Sequence, residues 1–268
     1  MKCPEFAVRS LALVLVSLLF ACSNRPLLPE IPTPVVEEKT PPQPASPEVR
    51  AKLHTELGAG YYERGQMDVA IDELNLALKI DPNYAQAYNI SGLVYATLGN
   101  DSKAEQNFTR ALQLAPNDAE TLHNWGWFLC THQRQRESLA QFEAAVRDPL
   151  YKTPEIALVN AGRCAQSIGD ESAAQNYFRR ALAAQPGNPL ASLGLAQIAY
   201  NTRQYAEARG WMKGVMLTTN PPPEGLRLGV CIERKLGDRQ AELSYISQLR
   251  NRYPNAPETK AIETESCE

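Results

Sequence analysis

Residues 85–118 read AQAYNISGLVYATLGNDSKAEQNFTRALQLAPND, and this stretch decides the fold. It describes a helical hairpin. Gly92 offers no side chain, so a partner helix can approach closely there. Ala104 and Ala111 keep the second helix slim on its packing face, and Phe108 between them fills the space between neighbouring pairs. Gly99, just before Asn100, marks the turn. Pro116 stops the second helix and redirects the chain.

Moving outward, the same pattern returns. Gly58, Gly92 and Gly126 are 34 apart, Gly162 follows after 36, and Ala196 and Val230 follow at 34 again. Parallel columns hold Ala70, Ala104, Ser138, Ala174, Ala208 and Glu242, then Leu74, Phe108, Phe142, Phe178, Met212 and Ile246. A period of 34 with these residues resembles the tetratricopeptide repeat. The fold class expected is therefore all-α, a right-handed superhelix of six helix-turn-helix repeats. They are expected at about 51–84, 85–118, 119–154, 155–188, 189–222 and 223–256, within a body spanning 48–256. Repeat 6 is the loosest, as suits a terminal repeat. The two extra residues fall at 148–155, where Pro149 and Pro154 predict a lengthened loop.

The segment before the repeats reads as an address. Lys2 and Arg9 precede an apolar run from Leu11 to Phe20 that is short for a membrane span. Leu19-Phe20-Ala21-Cys22 resembles the bacterial lipobox, although Phe20 stands where a small residue is common. A lipoprotein signal peptide is expected over 1–21, with lipid on Cys22. Ser23, not Asp, follows that Cys; by resemblance to sorted lipoproteins this implies the outer membrane. Eight prolines between Ser23 and Pro47 predict an extended tether over 22–47. At about 3.1 Å per residue its reach is on the order of 75 Å. A C-terminal tail is expected over 257–268.

The 268 residues carry a formal charge of -3, so no basic field favours nucleic acid. No CxxC or HExxH metal spacing, no GxSxG elbow and no phosphate-binding glycine loop is present. His123, Cys130, His132 and Cys164 are the nearest approach to a metal set, and His132 points away from His123 and Cys130 on a helix. No enzyme activity, metal or cofactor is expected. Cys130 and Cys164 occupy matching regions of the first helices of repeats 3 and 4, which pack side by side, so a disulfide between them is expected. Cys231 and Cys267 pair if the tail folds back onto repeat 6.

The first helix of each pair lines the concave groove in such repeats. The groove positions read from the frame are Thr55, Ala59 and Tyr62, then Asn89, Leu93 and Ala96. Further along they are His123, Trp127, Val159, Arg163, Leu193, Gln197 and Tyr200, and the last repeat adds Arg227, Arg234 and Lys235. A mixed apolar groove suits an extended or helical peptide, and the body is expected to be monomeric.

Three blocks narrow this further: Asn124 to Cys130; Asp148, Pro149, Tyr151, Thr153, Pro154 and Glu155; and Asn160, Ala161, Gly162 and Cys164. With the lipobox and six repeats, they resemble the type IV pilus biogenesis and stability lipoproteins of the PilF/PilW type. The resemblance implies a pilotin that sits in the outer membrane, binds the pilus secretin and helps it assemble into its ring. It also maps the family's paired cysteines onto Cys130 and Cys164. The alternative is a generic outer-membrane scaffold or adaptor for another envelope assembly machine.

Overall fold

The computed structural model describes residues 45–263 and residue 267. The expected signal peptide, Cys22 and most of the proline-rich segment lie outside them.

The described chain is a run of helices: α1 (Pro47–Glu63), α2 (Met67–Ile80), α3 (Ala85–Thr97), α4 (Asp101–Leu114), α5 (Ala119–Thr131), α6 (Gln135–Ala145) and α7 (Pro154–Ser167). It continues with α8 (Glu171–Ala184), α9 (Pro189–Asn201), α10 (Tyr205–Val215), α11 (Pro223–Leu236), α12 (Arg239–Arg252) and α13 (Pro257–Glu263). Among the described residues there is no strand. Odd and even helices from α1 to α12 form six antiparallel pairs.

Local chemistry sets the boundaries. Asn100, Asp118, Asp170 and Asp238 cap α4, α5, α8 and α12, each accepting a hydrogen bond from a backbone N–H in the first turn. Ser46 caps α1 in the same way, and Pro47 is its first residue. Pro47, counted with the tether above, is thus helical; a first-turn proline lacks only an N–H that would be unpaired anyway. The turn inside each pair passes through a left-handed residue. Gly65, Gly99, Gly169 and Gly237 supply it in four repeats, while Gln133 (φ 62°) and Arg203 (φ 61°) supply it in the other two.

Packing follows the columns. A Cβ added at Gly92 would lie 2.7 Å from the Phe108 ring, at Gly126 3.1 Å from Phe142, and at Gly162 2.6 Å from Phe178. The three rings are fully buried. In repeat 6 the close approach moves by one residue: Gly229, not Val230, lies under a ring, that of Tyr245, at 2.7 Å. Val230 is itself fully buried, and the neighbouring glycine takes the close approach beneath the aromatic. Glu242, buried in an alanine column, is held by Arg234 (3.0 Å) and Arg239 (2.8 Å).

Two expectations change in detail. The loop after repeat 3 covers 146–153, because α6 stops early. The tail expected over 257–268 begins with helix α13, which packs on α11 and α12 through buried Thr259 and Ile262. Pro257, at the start of that expected tail, opens the further short helix.

Candidate protein-binding groove

Each first helix touches the first helix of the next pair, α1 on α3, then α5, α7, α9 and α11 in turn. Backbones of second helices do not meet; they are bridged by long side chains such as Arg180 to Glu143 (2.5 Å). The first helices therefore form a closely spaced inner wall, and the second helices a splayed outer one.

Polar links stitch the inner wall. Tyr62 Oη meets Thr97 Oγ1 at 3.2 Å, joining α1 to α3. Asn124 donates to Asn89 Oδ1 at 3.1 Å, joining α3 to α5, and Asn89 Nδ2 is buried without a partner. Asn160 Nδ2 faces His123 Nε2 at 2.9 Å, and His123 Nδ1 faces Tyr151 Oη at 2.6 Å. An amide nitrogen only donates, so Nε2 accepts, and the single ring proton on Nδ1 goes to Tyr151. Burial pushes the His123 pKa down to about 4, in keeping with this neutral form. Cys130 and Cys164 form a disulfide between α5 and α7, with Cα atoms 5.9 Å apart. The three sequence blocks thus meet around one junction, that of α5, α7 and the loop between repeats 3 and 4. The two cysteines are bonded to each other, and His123 is held by Tyr151 and Asn160. Cys231 and Cys267 form a second disulfide, and Tyr200 Oη donates to the Cys267 carbonyl at 3.2 Å.

The groove expectations divide by side-chain size. Thr55, Asn89, Val159 and Leu193 are buried at 3%, 0%, 3% and 8% exposure, in the seam between adjacent first helices, and offer a partner little or no surface. These four are corrected from groove lining to wall packing. Thr55 spends its hydroxyl on the Ala51 carbonyl (2.8 Å). His123 occupies the same column, is larger, and emerges in part. Ala59, Tyr62, Leu93, Ala96, Gln197 and Tyr200 are half-buried; Arg163 is exposed, and Trp127 is 40% exposed. Sequence reading missed Ile156 and Leu190, exposed apolar residues three positions before Val159 and Leu193 and so on the same helical face. The signal was present: two aliphatic residues stand in a column that elsewhere holds Lys52, Gln86, Glu120 and Glu224. Among the described residues no helix is long and apolar enough to cross a membrane.

Comparison with known proteins agrees with this architecture. Tetratricopeptide repeat models match residues 58–99, 85–118 and 169–228. The type IV pilus assembly protein PilF of Pseudomonas aeruginosa is 28% identical over 212 residues, covering 79% of this chain and 84% of that protein. A solved structure from a functional characterisation of Pseudomonas aeruginosa PilF superposes with a TM-score of 0.75 at 26% identity, covering 83% of this chain and all of that one. The crystal structure of PilW, described as a widely conserved type IV pilus biogenesis factor, gives 0.71 at 33% identity, over 80% of this chain and 98% of that one. The chain belongs to the PilF/PilW family of tetratricopeptide-repeat type IV pilus biogenesis proteins.

Proposed function

We propose that the protein is an outer-membrane lipoprotein that binds the type IV pilus secretin and promotes its localisation and multimerisation, supporting pilus biogenesis and twitching motility. The observation that carries this reading is the continuous inner wall from α1 to α11, with the large apolar side chains of Trp127, Ile156 and Leu190 exposed along it. A large aromatic and two aliphatics on a pre-formed concave wall suit a segment of partner polypeptide, because little ordering is needed before contact. Family membership supplies the process, and the lipobox-like Leu19 to Cys22 supplies the address. Acyl chains on Cys22 anchor stably when more than one is attached, each buried methylene contributing about 0.8 kcal/mol.

Deleting the gene tests the reading. The expected result is loss of secretin multimers and surface pili, with other outer-membrane barrels unaffected. Unchanged secretin multimers refute it. A Cys22→Ala chain is expected to bind secretin yet leave the complex misplaced, which separates grip from address.

A further inference from the structure

The inner wall changes character at its C-terminal end. Between α9 and α11 lies a cavity of about 320 Å³ lined by Tyr200, Arg203, Arg227, Lys235 and the Cys231–Cys267 pair. Next to it three cations are matched: Arg209 with Glu233, and Arg234 and Arg239 with Glu242. Arg203, Arg227 and Lys235 form no ion pair with a described residue, and no described carboxylate lines the cavity. Arg227 falls in the column of His123 and Val159, so the cavity continues the wall that presents Trp127.

Unmatched cations in a concave site favour an anion, and the other lining groups narrow the class. Gln197 donates to Asn201 at 2.8 Å, and both carboxamides line the cavity. Carboxamides pair with main-chain N–H and C=O groups, and guanidinium and ammonium groups pair with carboxylates. Charges of this kind set partner choice and encounter rate at an interface.

We propose that this cavity is an anion site for an acidic, extended polypeptide segment, whose Glu or Asp side chains seat against Arg203, Arg227 and Lys235. The proposal rests on the inner wall being the polypeptide-binding groove, and adds the sign of the partner and the repeats that read it.

The test uses the purified full chain in detergent and fluorescence anisotropy. The probe is a labelled peptide of about ten residues in which Glu alternates with Ala, alongside counterparts carrying Gln or Lys. The Glu peptide is expected to bind best and to weaken with added salt. A chain carrying Arg227→Glu and Lys235→Glu, with unchanged circular dichroism, is expected to bind it about tenfold more weakly. Arg203→Gly removes a charge and relaxes a left-handed residue together, so it is expected to weaken binding while raising the unfolding midpoint. Glu265 and Glu268 neighbour Cys267 in sequence and share the ligand's sign; changing both to Gln is expected to maintain or tighten binding. Equal binding of the three peptides, indifference to the charge reversals, loss of binding in the Gln variant, or capture of inorganic phosphate or anionic vesicles in place of the peptide overturns the proposal. Secretin binding the reversed chain undiminished also overturns it, while leaving the secretin role intact. Secretin failing to bind the natural chain refutes that role instead.

Discussion

Truncation of Phe178 probes how the array is held together. Its ring is fully buried, clasped between two glycines: a Cβ at Gly162 of α7 would lie 2.6 Å from it, and one at Gly194 of α9 only 2.4 Å. The ring therefore fills the joint between repeats 4 and 5 from both sides. Neither disulfide crosses this joint. Cys130–Cys164 ties repeat 3 to repeat 4, and Cys231–Cys267 ties α11 to the residues beyond α13. Phe178→Ala opens a cavity that two neighbouring glycines are unable to fill, at an expected loss of about 3–5 kcal/mol. In a linear array stability is a sum of repeat terms and nearest-neighbour terms, so the damage concentrates at one interface. Urea unfolding followed by circular dichroism is expected to split into two transitions. Hydrogen exchange is expected to rise in α9 to α12 before α1 to α6. A loss below about 1 kcal/mol, or a uniform rise in exchange along the chain, refutes the reasoning.

Three further perturbations follow from the same geometry. Cys130→Ser with Cys164→Ser frees a loop of sequence separation 34 and is expected to lower stability by about 4 kcal/mol on loop entropy, read as a fall in Tm; an unchanged Tm contradicts this. Gln133→Gly, at φ 62°, is expected to stabilise by roughly 0.5–1 kcal/mol, since relief of left-handed strain exceeds the added freedom of the unfolded chain; an unchanged or lower urea midpoint contradicts this. His123 has a folded pKa near 4 against an ordinary 6.5, so the unfolded chain binds more protons between those values. Its contribution, at most roughly 3 kcal/mol, is present above pH 6.5 and is lost as pH falls toward 4. His123→Asn should flatten urea stability across that window; an equally steep fall in the variant argues against this assignment.

The repeat columns were legible because each encodes a local necessity: glycine where helices cross, alanine on a slim face, a capping Asn or Asp, proline after the second helix. The disulfide between Cys130 and Cys164 was legible because equivalent helix positions in adjacent repeats are spatial neighbours. What the columns do not encode is how tightly adjacent first helices close. That closure swallows Thr55, Asn89, Val159 and Leu193 and leaves the longer His123 and Arg227 partly outside, although all six share one column. Position in the frame gives a direction; side-chain length against inter-helix spacing decides exposure. Helix α13 escaped notice because it lies beyond the last repeat, where no column predicts it. The Gly229 shift escaped because Val230 stands in the small-residue column and the glycine under the ring lies one position before it.

The central claim is that the inner wall grips the secretin, and site-specific photocrosslinking tests it most directly. Benzophenone side chains placed at 127, 156 and 190 sit on the wall; at Gln106 of α4 and Arg179 of α8 they sit exposed on second helices. Irradiated in cells that express the secretin, the first set is expected to yield covalent secretin adducts and the second set none. Adducts formed from the outer positions alone, or from none of the five while secretin multimers persist, contradict the account.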